Sequence, residues 1–177
     1  MNYIKIFETF YTPPKSVKQK LDKIVSDLLD KYERGPLFFD ALDERIKDIS
    51  NEDMILYLVS GCKDKWVCSS GEFGQRLEGL LEAGKFKCKG LVTFSGKITS
   101  RGKQIEWWEP EDFDFKDKDF IYVDDSYFSG KTANKINDFL KERGSKITEI
   151  YVVYDGSLDR KPNVHSFFRY YGDVVKF

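Results

Sequence analysis

The sequence predicts an α/β fold with a mostly parallel central sheet flanked by helices, and three observations carry this prediction. An apolar run at residues 120–123 is followed by polar residues and then by a helical pattern over residues 132–143. A second short run, residues 66–70, precedes another helical pattern that includes Phe73 and Leu77. A third run covers residues 147–154. Strands that alternate with helices in this way are typical of parallel sheets.

The remaining elements extend this core at both ends. Residues 4–11 predict a short strand, and apolar residues at helical spacing predict two N-terminal helices on either side of Pro36. We interpret the apolar run at residues 54–59 as a strand. Residues 91–95 and 103–108 predict two strands that form a flexible hairpin, joined by a polar, glycine-flanked loop at residues 96–102.

The composition is that of one cytoplasmic domain. A chain of 177 residues suits a single domain. Its formal net charge of −1 gives no overall field that would steer nucleic acid, although a local basic patch for RNA remains open. Three cysteines without a CxxC pair, beside one histidine, do not suit structural zinc and favour reduced thiols in the cytoplasm. Because no run of about 18 apolar residues occurs, we expect no membrane partner.

The segment that indicates chemistry is FIYVDDSYFSGKT, residues 120–132. Carboxylates such as Asp124 and Asp125 accept hydrogen bonds from ribose hydroxyls, while loop N–H groups and the Ser129 and Thr132 hydroxyls suit a phosphate. The ending SGKT also occurs in nucleotide triphosphatase loops, but that pattern requires glycine where Asp125 stands. A carboxylate there would repel a cradled phosphate. The segment therefore predicts a site for a ribose 5-phosphate group.

The stretch VDDSYFSGKT resembles the phosphoribosyl pyrophosphate signature of type I phosphoribosyltransferases. Its Gly-Lys-Thr ending is most similar to the hypoxanthine-guanine branch, and the resemblance extends over residues 66–156. It implies transfer of a phosphoribosyl group from magnesium-bound phosphoribosyl pyrophosphate to a small-molecule base, with a nucleoside monophosphate as the other ligand. A homodimer is common in that family. The resemblance assigns catalysis and Mg²⁺ binding to Asp124 and Asp125, and ribose-phosphate binding to Asp124, Asp125, Ser126, Tyr127, Phe128, Ser129, Gly130, Lys131 and Thr132.

The same resemblance implies three further groups of contacts. Ser69, Ser70 and Gly71 correspond to the loop that holds the pyrophosphate, although an ordinary strand-to-helix turn explains them about as well. Ser100, Arg101 and Lys103 correspond to a mobile loop that closes over the pyrophosphate, where a plain hairpin tip is the alternative. Lys161 is a candidate donor to the base.

Two residues depart from the family pattern. Glu72 stands where the family has a small residue, and it would weaken pyrophosphate binding unless it turns away. Phe128 stands where the hypoxanthine-guanine branch has an acid near the base, and phenylalanine carries no proton.

Two hypotheses therefore stay open. The first is a Mg²⁺-dependent phosphoribosyltransferase of nucleotide salvage. The second is a catalytically inactive protein of the same fold that binds a nucleotide or RNA as a regulator. Under either hypothesis residues 1–177 form one phosphoribosyltransferase-like domain. It comprises an N-terminal helical part (1–60), a core (66–156) and a C-terminal segment on the side of the base (157–177).

Overall fold

The computed structural model describes most of the chain, with gaps. The described residues are 15–33, 37–38, 41–42, 44–45, 52–98, 105–108, 113–157, 161–171 and 174–176. The strand predicted at residues 4–11 lies outside them.

Seven strands in the described residues form one sheet. They are β1 (Trp66–Ser70), β2 (Gly90–Ile98), β3 (Ile105–Trp108), β4 (Asp119–Tyr127), β5 (Lys146–Asp155), β6 (Val164–Tyr171) and β7 (Val174–Lys176). Their order across the sheet is β3-β2-β1-β4-β5-β6-β7. The five inner strands are parallel, and β3 and β7 pair antiparallel at the two edges. The predicted α/β class, with a mostly parallel sheet, is confirmed.

Helices cover the sheet on both faces. They are α1 (Lys15–Leu29), α2 (Glu52–Leu58), α3 (Gly71–Glu82) and α4 (Lys131–Lys141), with a 3₁₀ turn at Ser60–Cys62. The described positions between residues 37 and 45 are helical too. Among all the residues that the structure describes, no helix is long and apolar enough to cross a membrane.

The strand predicted at residues 54–59 is wrong, because these residues lie in α2 and the turn that follows it. Met54, Ile55, Leu58 and Val59 are fully buried, whereas the two residues between them are only partly buried. Burial in pairs four residues apart is the pattern of one helical face. An apolar run of six residues is too short for its periodicity to separate a strand from a buried helix.

Strand β2 extends further toward the hairpin loop than predicted. Residues 96–98, which the sequence placed in the loop, continue β2 and pair with β3, as in Gly96 opposite Trp107 and Ile98 opposite Ile105. The pairing of the two strands is confirmed.

Strand β4 divides the core into two halves. Ile121 and Val123 point to the face covered by α2 and α3, and Phe120 and Tyr122 point to the face covered by α4. Alternate residues of a strand face opposite sides, so one strand anchors both halves. The helices contribute Phe73 and Leu77 from α3, and Ala133, Ile136 and Leu140 from α4.

The connections of β1 and β4 run in opposite directions. From β1 the chain passes through α3 to β2 on one side, and from β4 it passes through α4 to β5 on the other. Two neighbouring strands whose connections diverge leave a crevice at their carboxyl ends, which is where open α/β sheets bind ligands.

Candidate functional site

The two acids lie inside β4 rather than in a turn after it. The strand continues to Tyr127, four residues beyond the predicted strand end, and Asp124 is paired with Val152 of β5. On the other side, the ladder between β1 and β4 ends at Cys68 opposite Tyr122, while β1 stays paired with β2 as far as Ser70. The two strands therefore separate beside the acids, at the mouth of the crevice.

Hydroxyls from the end of β1 bridge this separation. The Ser69 side chain is fully buried, and its Oγ donates a 2.6 Å hydrogen bond to the carbonyl oxygen of Val123. Ser70 Oγ lies 2.8 Å from the Tyr122 hydroxyl and 3.3 Å from Asp124 Oδ2. Ser70 is also the N-cap of α3, yet its side chain makes no capping bond. The hydroxyls of both serines therefore form hydrogen bonds to β4.

The carboxyl group of Asp124 is held at both oxygens. The Tyr122 hydroxyl donates to Oδ2, and the backbone N–H of Asp125 donates to Oδ1 over 2.9 Å. Burial, together with the neighbouring charge of Asp125, raises the pKa of Asp124 to about 7. Burial and the carboxylate of Asp124 raise the pKa of Tyr122 as well. The carboxyl group of Asp124 is therefore easier to protonate than that of an ordinary aspartate.

Asp125 is the more available acid. It is half-buried, and in the described part of the chain its carboxyl group makes no hydrogen bond or ion pair with a side chain other than that of Asp124. Two adjacent carboxyl groups repel each other when both are ionised. A ligand hydroxyl that donates to Asp125 would reduce this repulsion.

The connection from β4 to α4 is short and open. It consists of Phe128, Ser129 and Gly130, and Gly130 caps the helix with φ 70°. A Cβ atom at this position would lie 2.4 Å from the Tyr127 hydroxyl oxygen, so both the backbone angle and the space require glycine. The N-cap residue of α4 supplies no side-chain capping bond, and Lys131 and Thr132 in the first turn are exposed. The N–H of Lys131 donates to Ser129 Oγ over 3.5 Å, a long hydrogen bond that a ligand could replace.

Phe128 packs into the end of the sheet. Its ring lies 5.6 Å from the ring of Tyr154, and a Cβ atom at Gly156 would approach it to 2.5 Å. The backbone N–H of Gly156 also donates to the carbonyl oxygen of Tyr127. Phe128 thus joins the ends of β4 and β5, a packing role that the sequence did not predict.

Asp155 is a buried carboxylate that sequence reasoning did not select. It is 2% exposed, and its Oδ1 accepts hydrogen bonds from the backbone N–H of Ser157 at 2.9 Å and from the Ser157 hydroxyl at 2.5 Å. Burial and the charge of Asp155 raise the pKa of Tyr127. The one available signal was its position at the end of an apolar run, before glycine and serine.

The other predicted contacts are less close to the acids. Gly71 has φ 58° and is exposed together with Glu72 in the first turn of α3. Lys161 is exposed in the turn before β6. Val164, at the start of β6, pairs with Ile150 of β5, which in turn pairs with Tyr122 of β4. Lys161 precedes Val164 whereas Asp124 follows Tyr122, so the two residues lie toward opposite ends of these parallel strands. Ser100, Arg101 and Lys103 lie outside the described residues.

The donor set suits Mg²⁺ that arrives with a ligand. In the part of the chain that the structure describes, no three acids, histidines or cysteines form a cluster. Magnesium is commonly bound by one or two carboxylates together with substrate phosphates. Asp125 is the carboxylate available for this role, because both oxygens of Asp124 already accept hydrogen bonds.

Sequence comparison finds no relative: no family model matches the chain, and no curated protein matches it. Among solved structures, the chain is similar to a purine phosphoribosyltransferase from Pyrococcus horikoshii Ot3, at 17% identity over 90% of this chain and 86% of that one, with a TM-score of 0.48. A hypoxanthine phosphoribosyltransferase from Staphylococcus aureus is similar at 16% identity over 75% and 76%, with a TM-score of 0.45. An orotate phosphoribosyltransferase from Aeropyrum pernix is similar at 15% identity over 68% and 74%, also with a TM-score of 0.45. These three proteins are named for different bases, so the hypoxanthine-guanine branch is not singled out.

Proposed function

We propose that the protein is a phosphoribosyltransferase-like protein. It binds phosphoribosyl pyrophosphate with Mg²⁺ at the carboxyl ends of β1 and β4 and transfers the phosphoribosyl group to a nitrogenous base. One observation carries this proposal: Asp125 lies in β4 beyond the point where β1 and β4 stop pairing, in the strand that leads into the N-terminus of α4. Acceptors for ribose hydroxyls and donors for a phosphate therefore lie at the same end of the sheet.

Each part of the donor has a complementary group. The ribose hydroxyls donate to Asp125, and the 5-phosphate accepts from the first N–H groups of α4 and from the Ser129 and Thr132 hydroxyls. The diphosphate lies toward Gly71 and the start of α3. Lys131 adds a positive charge at the phosphate end. Mg²⁺, when bound, neutralises the charge of the leaving diphosphate.

In the transfer step the bond from ribose C1 to the diphosphate oxygen breaks, and a bond from C1 to a nitrogen of the base forms. The positive charge that develops on the sugar is stabilised by the Asp124 and Asp125 pair. The proton of the base nitrogen leaves through water or the diphosphate, because Phe128 cannot accept it and its ring is packed against Tyr154.

Calorimetric titration of phosphoribosyl pyrophosphate with Mg²⁺, followed by diphosphate release across a panel of purine and pyrimidine bases, tests the proposal. We expect binding with release that depends on the base. If neither phosphoribosyl pyrophosphate nor any nucleoside monophosphate binds, the proposal is wrong.

A second candidate is a regulator that binds a nucleotide without turnover. Phe128 favours it, because this residue joins β4 to β5 as packing and leaves the site without the proton acceptor that the resemblance implies. Binding of the donor or of a nucleoside monophosphate, with no diphosphate release from any base, would support this candidate over the transferase.

A further inference from the structure

Tyr122 occupies an unusual place for a core tyrosine. It is 1% exposed in the middle of β4, and its ring packs in the core on the α4 face. A buried tyrosine hydroxyl needs a hydrogen-bond partner. Here it meets polar groups from two separate segments: Ser70 at the end of β1 and Asp124 in β4 itself.

Three oxygen atoms form a triangle at the base of the crevice. They are the Tyr122 hydroxyl, Ser70 Oγ and Asp124 Oδ2, and Ser70 Oγ lies 2.8 Å from the Tyr122 hydroxyl and 3.3 Å from Asp124 Oδ2. The Tyr122 hydroxyl donates to Asp124 Oδ2 directly. Since Asp124 Oδ1 accepts from the N–H of Asp125, neither oxygen of Asp124 can turn toward a ligand without breaking a bond.

We propose that Tyr122 is a positioning residue of the ligand site. With Ser70 it fixes the carboxyl group of Asp124 and leaves Asp125 as the acid that contacts the ribose hydroxyls. This inference rests on the proposed function, since it assigns unequal roles to the two acids of that site. Ser70 lies at the turn proposed to hold the diphosphate and contacts Asp124. It therefore links that turn to the acids proposed to hold the ribose.

The groups around Asp124 determine how loss of the Tyr122 hydroxyl would affect the position of its carboxyl group. The groups that act on its carboxyl are Tyr122 and Asp125 from β4, Cys68 from β1 and Ser70 at the start of α3, whereas Val152 on β5 is apolar. Glu72 is exposed in the first turn of α3. Without the Tyr122 hydroxyl, Asp124 Oδ2 keeps only the longer contact to Ser70 Oγ at 3.3 Å among the described residues, so its carboxyl group is held less firmly.

The test is donor affinity, measured by calorimetry for the wild type, Tyr122→Phe, Asp124→Asn and the double variant. We expect Tyr122→Phe to bind phosphoribosyl pyrophosphate with Mg²⁺ about tenfold more weakly, as for loss of a hydrogen bond to a charged group. In the Asp124→Asn background the same substitution should cost little further affinity, because Tyr122 acts through that carboxyl group. Tyr151→Phe is the matched control, because Tyr151 is a buried tyrosine of neighbouring β5 that belongs to the other half of the core. Its affinity should equal that of the wild type.

The outcomes are distinguishable. If the wild type binds no donor, the proposed function is wrong. If the wild type binds and Tyr122→Phe, correctly folded, keeps the same affinity, or weakens binding as much in Asp124→Asn as in the wild type, the positioning role is wrong. Should Tyr122→Phe not fold, Ser70→Ala removes the second contact of the triangle, and it must weaken donor binding by a smaller factor for the role to stand.

Discussion

The two strand-to-helix connections at the crevice share one plan but differ in what their polar groups do. From β1 the chain enters α3 directly, and both serine hydroxyls of that junction bind to β4. From β4 a three-residue connection leads to α4, whose N-cap glycine supplies no capping side chain and whose first N–H makes a 3.5 Å hydrogen bond to Ser129 Oγ. The first junction closes the floor of the crevice, and the second holds its donors only weakly.

This difference shows why residue type alone does not identify a binding loop. Serine and glycine at a strand end are compatible with an anion site or with an internal tie between strands. Ser69 and Ser70 act as a tie, since their hydroxyls contact the Val123 carbonyl and the Tyr122 and Asp124 side chains. The sequence resemblance had assigned the same two serines to the pyrophosphate. Gly71, with its exposed backbone, is the member of that group best placed for a ligand.

The largest expected effect comes from the available acid. Asp125→Asn should weaken binding of phosphoribosyl pyrophosphate by about 100-fold, because a neutral amide replaces the charged acceptor of the ribose hydroxyls. Asp124→Asn should cost less, since Asp124 is engaged with Tyr122, and the double substitution should abolish binding. Calorimetry measures all three.

Asp119→Asn is the control for these variants. Asp119 is an exposed acid at the opposite end of the same strand, and its replacement should leave donor affinity unchanged. Equal losses for Asp124→Asn and Asp125→Asn would contradict the unequal roles of the two acids, and full affinity in the double variant would place the site elsewhere.

A pair of glycines compares the two junctions directly. Gly71 and Gly130 have φ 58° and 70°, so alanine is strained at both, but only at Gly130 would the new Cβ meet the Tyr127 ring. We expect Gly71→Ala to lower the free energy of unfolding by about 1 kcal/mol and Gly130→Ala by about 2–3 kcal/mol. Urea unfolding measures both values.

The control for the glycine pair is Gly79→Ala. Gly79 lies within α3 with open space around its Cβ position, so alanine should stabilise the protein by about 0.5–1 kcal/mol. Equal destabilisation by Gly71→Ala and Gly130→Ala would show that the contact with Tyr127 does not add to the loss in free energy of unfolding.

Much of the sheet could be predicted from local pattern. The runs at residues 66–70 and 147–154 are strands, and the helical pattern over residues 132–143 matches α4, whose buried face includes Ile136 and Leu140. These segments are long or are followed by clear helical spacing, so one face of each is evident. The apolar run at residues 54–59 lacks both features and was misassigned.

The site could be predicted only in part. The carboxyl end of an apolar strand indicated the place of Asp124 and Asp125. Their different environments could not be predicted, because Ser70 and Tyr122 are 52 residues apart and meet only when β1 pairs with β4. Local pattern contains no information on which strands are neighbours. Phe128 is a similar case, since its partner Tyr154 lies on another strand.

The smallest expected effect is a pH dependence of stability. Because the pKa of Asp124 rises from an ordinary value of 3.8 to about 7 on folding, the folded state binds this proton more tightly than the unfolded state. The free energy of unfolding therefore falls as pH rises from about 4 to about 7, because Asp124 must ionise in its buried site. Above about pH 7 this loss of stability reaches its full value. Asparagine cannot ionise, so Asp124→Asn should match the wild type at about pH 4.

At pH 8 the free energy of unfolding of Asp124→Asn should exceed that of the wild type by about 1 kcal/mol, a value reduced for the partial exposure of the residue. Urea unfolding at the two pH values measures this difference, and Asp119→Asn, at an exposed position, should show none. If the difference in the free energy of unfolding between Asp124→Asn and the wild type were the same at both pH values, folding would not raise the pKa of Asp124. The separation of roles between the two acids would then have to rest on hydrogen bonding alone.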